Sequence, residues 1–210
     1  MGWFDFIRSP SGRSVETLEI PLFPLNTVLF PGGVQPLKIF EQRYLDMAAA
    51  CMKDETPFGI CLIDSGSEVG SAAKPHPVGT LARIGDWEME QLGILQITAL
   101  GGRRFRIIDS EVGPGNLLRG HVELLSEGDT EPLPQERERL LPLLQRIVAD
   151  LGSARIPEPH RYDDAAWVGY RITEILPIQN LAKQKLLELD DPLARLEILE
   201  KFLDQRKLLG

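Results

Sequence analysis

Four prolines, Pro21, Pro24, Pro31 and Pro36, fall in the stretch IPLFPLNTVLFPGGVQPLKIFEQRY, residues 20 to 44, whose other residues mostly favour extended structure. Proline brings no N–H to a ladder, so strands that contain it belong at sheet edges, at first positions or at bulges. The chain must therefore build a sheet in which some strands pair incompletely. Such strands resist indiscriminate sheet-to-sheet pairing, yet an edge keeps backbone groups available to a suitable partner.

Strand patterns continue from Leu18 to about Leu125. FGICLI at 58 to 63 is an unbroken apolar run of buried-strand length, and TLARI, LGILQITAL and RRFRIIDSEV read as further short strands parted by glycine-bearing turns. These segments imply a barrel or folded sheet. One helix interrupts it, because EQRYLDMAAACMKD sets Tyr44, Met47, Ala48, Cys51 and Met52 on one stripe that should cap the open end of the sheet. SGSEVGSAAKPHP at 65 to 77 is expected to be a mobile loop at the rim.

Past Gly128 the texture changes. The polar, proline-bearing SEGDTEPLPQ reads as a linker, and four amphipathic stretches follow it. Leu140, Leu144, Ile147, Val148 and Leu151 mark the first, with Pro142 expected to kink or restart it. The second, DDAAWVGYRITEIL, starts behind acidic caps and stops at Pro177. NLAKQKLLEL is the third, and the fourth has Asp191 as N-cap and Pro192 at its first turn. Packed together, they predict a helical bundle. The fold class is α+β: a β-barrel or folded sheet with one inserted helix, followed by a C-terminal helical bundle. The expected boundaries are an N-terminal tail at 1–17, a β-rich subdomain at 18–127, a linker and helix start at 128–138, and the bundle at 139–210. Trp3, Phe4 and Phe6 in the tail are expected to dock on the body.

Chemistry is scarce in the pattern. The net charge of -8 removes long-range attraction to nucleic acid or anionic lipid, and no apolar run approaches membrane-spanning length. Cys51 and Cys61, the only two cysteines, fall on a helix stripe and in a buried-type strand, which predicts packed thiols in a reducing cytoplasm. His76, His121 and His160 are isolated, and G-x-S-x-G and phosphate-cradling glycine motifs do not occur. Asp163 and Asp164 sit where a helix cap is wanted, and Glu88 with Glu90 is a weakly spaced pair. No cofactor or metal is expected.

One basic cluster stands out in GGRRFR at 101 to 106. Strand alternation places Arg104 and Arg106 on one side and Arg103 with Phe105 on the other. Arginines beside an aromatic could grip an RNA backbone, whereas a solvated strand face neutralising nearby acids is the plainer reading.

The order of several short motifs resembles a known family. Pro21-Leu22, Pro24-Leu25, Pro31-Gly32 and Pro36-Leu37-Lys38-Ile39-Phe40-Glu41-Gln42-Arg43-Tyr44 are similar to the N-terminal substrate-binding domain of Lon proteases. Phe58-Gly59, Val78-Gly79-Thr80-Leu81-Ala82 and Arg104-Phe105-Arg106 continue the likeness, and Lys183-Gln184-Lys185-Leu186-Leu187-Glu188 with Asp191, Arg195-Leu196 and Leu199 resembles its closing helices. GDWEMEQLG at 85 to 93 departs from the Asp-Gly hairpin that many relatives place there. The resemblance implies a PUA-like β-rich part, a helical bundle, and binding rather than catalysis. With the sequence running to Gly210, neither the ATPase nor the Ser-Lys peptidase module of Lon is expected to fit.

The prolines and the resemblance together predict a peptide-binding edge. Phe23, Leu25, Phe30, Val34 and Leu37 are its candidate contact residues, against the alternative that they fill the core. The expected partners are unfolded or flexible polypeptides in protein quality control, with a protease or chaperone as a further partner. RNA binding through Arg103, Arg104 and Arg106 is the alternative function, and a hydrolase with an unrecognised site is a third.

Overall fold

The computed structural model describes residues 16–127 and 130–209, so the expected docking of Trp3, Phe4 and Phe6 lies outside the described residues. The strands are β1 (Thr17–Leu25), β2 (Val34–Ile39), β3 (Phe58–Ser65), β4 (Lys74–Pro75), β5 (Val78–Gln91), β6 (Ile94–Val112) and β7 (Leu118–Leu124), with α1 (Gln42–Asp54) between β2 and β3. Helices α2 (Leu141–Leu151), α3 (Ala165–Ile175), α4 (Asn180–Glu188) and α5 (Pro192–Gln205) complete the chain.

The sheet closes on itself. Its order runs β1-β7-β6-β5-β3, and β3 pairs back to β1 in parallel, while β2 joins only the N-terminal half of β6. The prolines fit this plan. β7 pairs β1 over Thr17 to Leu22 and β3 pairs it over Leu22 to Leu25, so Pro21 and Pro24 each stand where one side of β1 lacks a strand. Pro36 lies in β2, whose far side has no strand partner.

Inside this ring Phe105 is fully buried among Ile20, Leu22, Cys61, Leu118 and Val122. A Cβ on Gly59 would stand 2.6 Å from the Phe105 ring, so the strand needs glycine there to accommodate that aromatic. Burying each such side chain contributes about 1.5–3 kcal/mol. On the other side of β1 and β3 lies a second core, in which α1 lays Tyr44, Met47, Ala48 and Cys51 over Phe23, Phe58, Ile60 and Ile97.

The two short strands expected on either side of Gly101-Gly102 are one strand, β6. The glycines do not turn the chain. They let it pass against the β1–β2 connection, where Gly32 N–H donates to Gly101 O at 2.9 Å and Gly101 N–H donates to Gly33 O at 2.8 Å. The register with β5 slips by one residue there, a bulge that bends the strand between its two neighbourhoods.

In the helical half, Asp164 caps α3 by accepting from Ala166 N–H at 2.9 Å and Trp167 N–H at 3.2 Å, and Asp191 caps α5 with Pro192 in its first turn. Pro142 restarts the chain. A 3-10 stretch, Gln135–Leu140, hands over to α2 with this proline in its opening turn. Leu144, Val148, Trp167, Val168, Ile172, Leu196, Leu199 and Leu203 form the bundle core.

A buried seam locks sheet to bundle. Phe30, Val28, Leu62 and Val78 pack on Tyr170 and Leu187, while Arg171 donates to Gly32 O and, at 2.8 Å, to Pro31 O. Gln184 Nε2 donates to Val78 O at 2.9 Å, fixing α4 to the start of β5.

Candidate functional site

β2 is the exposed rim of the sheet, and a groove of about 260 Å³ runs beside it. Phe23, Leu25 and Thr27 from β1 and its end form one wall, Gln35 to Ile39 of β2 the other, and Phe40, Glu41, Tyr44, Glu68 and Val69 close the ends. Phe40 and Val69 are each 55% exposed, so the groove offers apolar surface to solvent at its mouth.

The floor is rigid. Phe23 and Tyr44 stack with ring centroids 3.9 Å apart, and the Arg43 guanidinium lies 4.5 Å from the Tyr44 centroid. Burial pushes the Tyr44 hydroxyl pKa up, with Arg43 opposing the shift. Arg43 also donates to Asn116 O at 3.1 Å and pairs with Glu41 at 3.1 Å. Glu41 in turn accepts from Gly70 N–H at 3.2 Å, and Glu68 accepts from Asn26 N–H. The 65–77 loop, expected to be mobile, is therefore tied at Glu68 and Gly70 to the helix start and to the turn after β1.

The five sequence-chosen residues separate into two places. Phe23, Leu25 and the half-buried Leu37 line the groove. Phe30 and Val34 do not: Phe30 is fully buried with its ring 5.8 Å from Tyr170, and Val34 is buried with its carbonyl taken by Arg155 Nη1 at 3.3 Å. Sequence reasoning passed over Lys38, Phe40, Tyr44 and Val69. Phe40 and Lys38 carry a signal, since both extend the β2 motif, whereas Val69 reaches the groove only through a loop.

The arginine cluster does not form one surface. Arg103 pairs with Glu16 at 2.7 Å, and Arg106 is exposed opposite Glu123 of β7. Arg104 is 1% exposed, sealed beneath the bundle instead of lying on a solvated face. Its Nη1 donates to Leu187 O at 2.9 Å and Leu189 O at 3.1 Å, and its Nε faces Glu127 Oε1 at 3.3 Å.

His76 lies 4.0 Å from Asp64, His121 lies 3.6 Å from Asp109, and His160 packs by Tyr162 and Trp167, so the three stay apart. Among the described residues no group of three His, Cys, Asp or Glu side chains is placed to hold a metal ion, and no helix is long and apolar enough to cross a membrane. Cys51 and Cys61 are buried and unpaired, and burial pushes both thiols up.

A closed small barrel with β2 as a free edge strand, locked to a helical bundle, defines a class of two-part α+β domains. Within that class the chain belongs to the family described as the ATP-dependent protease La (LON) substrate-binding domain, which matches residues 19–205. It is similar to the Lon protease of Cytophaga hutchinsonii, 24% identical over 89% of this chain and 24% of that protein. Lon protease 2 of Herpetosiphon aurantiacus is 27% identical over 90% of this chain and 24% of its own length. The chain thus spans about a quarter of these relatives, and the match falls on their substrate-binding part, not on the protease or ATPase parts. Among solved structures, a Lon N-terminal domain protein from Xanthomonas campestris aligns with a TM-score of 0.73 and 35% identity, covering 88% of this chain and 98% of that one. The N-terminal domain of Mycobacterium avium complex Lon protease shares the fold at a TM-score of 0.60 and 21% identity, covering 89% of this chain and 97% of its own.

Proposed function

We propose that the protein is a non-catalytic polypeptide-binding module, taking extended segments of unfolded or flexible chains into the groove beside β2. The observation that carries this reading is an unpaired strand edge standing against a groove that sets Phe23, Leu25, Leu37, Phe40 and Val69 among polar neighbours such as Gln35, Lys38 and Glu68. An extended peptide satisfies its own backbone by adding to such an edge while its side chains enter the groove. Family membership supports the substrate class, and the PUA-like reading of the barrel belongs with it. Work in protein quality control, beside a separate protease or chaperone that processes the captured chain, is the natural setting. The two unpaired thiols suit a reducing, cytoplasmic one.

The test is fluorescence anisotropy of a permanently unfolded polypeptide and of a single-stranded RNA, each at low and physiological salt. Affinity for the polypeptide that survives physiological salt, weakened by Leu37→Ser, is the expected result. Binding to RNA alone, fading with salt, would overturn the reading.

A further inference from the structure

The free edge of β2 offers a complete backbone pair beside the groove at one residue. Val34 O accepts from Arg155 and Pro36 O accepts from Gln35 Nε2 at 3.2 Å, both outside the ladder with β6. Residues along an antiparallel strand turn their N–H and C=O alternately to either side, so Val34, Pro36 and Lys38 all face away from β6. Pro36 has no N–H and Val34 O is occupied, which leaves Lys38 with both groups available.

The Lys38 side chain is exposed and shares a hollow with Asp86 and Glu88 without an ion pair to either, whereas the acids of the groove are engaged: Glu41 with Arg43 and Gly70, Glu68 with Asn26. A residue that exchanges both hydrogen bonds with Lys38 in an antiparallel pair puts its side chain on the same face as that ammonium, at cross-strand contact distance. The residues before and after it turn to the opposite face, toward Leu37 and the Phe23–Tyr44 stack.

On the polypeptide-binding reading above, we propose that this groove selects extended segments of the form apolar–acidic–apolar, with the acidic residue opposite Lys38. An edge lysine guards a sheet against indiscriminate pairing by apolar or basic strands. A carboxylate directly opposite turns that guard into an attraction, and the two apolar neighbours fill the groove.

Three fluorescent peptides, identical apart from a central Glu, Ser or Lys between apolar residues, test this by anisotropy on the native protein and on Lys38→Glu and Lys38→Ala. Expected on the native protein is an affinity order of Glu, Ser, Lys, with steps of about two- to fivefold. The order reverses on Lys38→Glu and flattens on Lys38→Ala. An unchanged order on all three proteins overturns the selection by Lys38 and leaves polypeptide binding standing, as does binding of the unfolded polypeptide with none of the three peptides. Failure of the peptides and the unfolded polypeptide alike overturns both.

Discussion

Arg104→Met keeps most of the buried stem of the side chain and removes its charge and donors, which isolates what the guanidinium does for the seam. Arg104 Nη1 reaches Leu187 O, Leu189 O and, at 3.2 Å, the Asp190 carboxylate, joining β6 to the α4–α5 turn. Leu189 O keeps a second donor in Arg195 Nη2, and Glu127 keeps Tyr170 OH at 3.2 Å, so those acceptors are not orphaned. Leu187 O lies at the end of α4 and loses its charged donor, at about 1.5–3 kcal/mol for a bond of this kind. The Asp190 side chain is 72% exposed and adds little, because water screens the pair. Glu127 is 30% exposed and keeps the Arg104 backbone N–H at 2.9 Å, so losing its contact with the guanidinium adds little and the total stays at about 1.5–3 kcal/mol. That is a sizeable part of the roughly 5–15 kcal/mol that holds a domain together. Urea unfolding followed by far-ultraviolet circular dichroism measures it. Tryptophan fluorescence in a Trp3→Phe, Trp87→Phe background, where Trp167 alone reports the bundle core, shows whether the halves still unfold together. Arg104→Lys, which keeps the charge without the fork, should fall between native and Met. A loss below about 1 kcal/mol for Arg104→Met would refute the reasoning, since an exposed arginine behaves that way.

Three further outcomes follow from single sites. Gly101→Ala places a Cβ 2.3 Å from Phe30 O and should cost about 2–4 kcal/mol by urea unfolding, while Gly102→Ala, 3.5 Å from Leu81 O, should be nearly silent. Burial raises the pKa of both Cys51 and Cys61, so the thiolate is disfavoured in the folded state; labelling by a thiol reagent should stay slow in the native protein from pH 7 to 9 and release two thiols in urea. Asp164→Ala removes a buried cap with two backbone donors and should lower stability by about 1–2 kcal/mol, whereas Asp164→Asn should recover most of that.

Local signals were legible where the cause is local. The caps at Asp164 and Asp191, the prolines at helix starts and the α1 stripe are written within a few residues, and each forms the element expected. Gly101-Gly102 misled because a glycine pair signals a turn as readily as a close approach, and only the tertiary contact with Phe30 O separates the two. Arg104 was misread for the same kind of reason: alternation assigns its side of the strand, but what covers that side lies over 80 residues away at Leu187 and Leu189. Phe30 and Val34 share the apolar, proline-rich texture of Phe23 and Leu25, and only the docking of α3 and the reach of Arg155 place them at the seam. The groove's far wall at Glu68 and Val69 comes from a loop with no periodicity to read.

Amide hydrogen exchange at Gln35 to Phe40, with and without a saturating unfolded polypeptide, tests the edge of β2 most directly. Strand addition predicts slowed exchange there, centred on Lys38 N–H, which is open to solvent in the free protein, with little change in α4 and α5. Binding that leaves this segment unprotected, or that protects the helical half instead, would contradict the placement of the site.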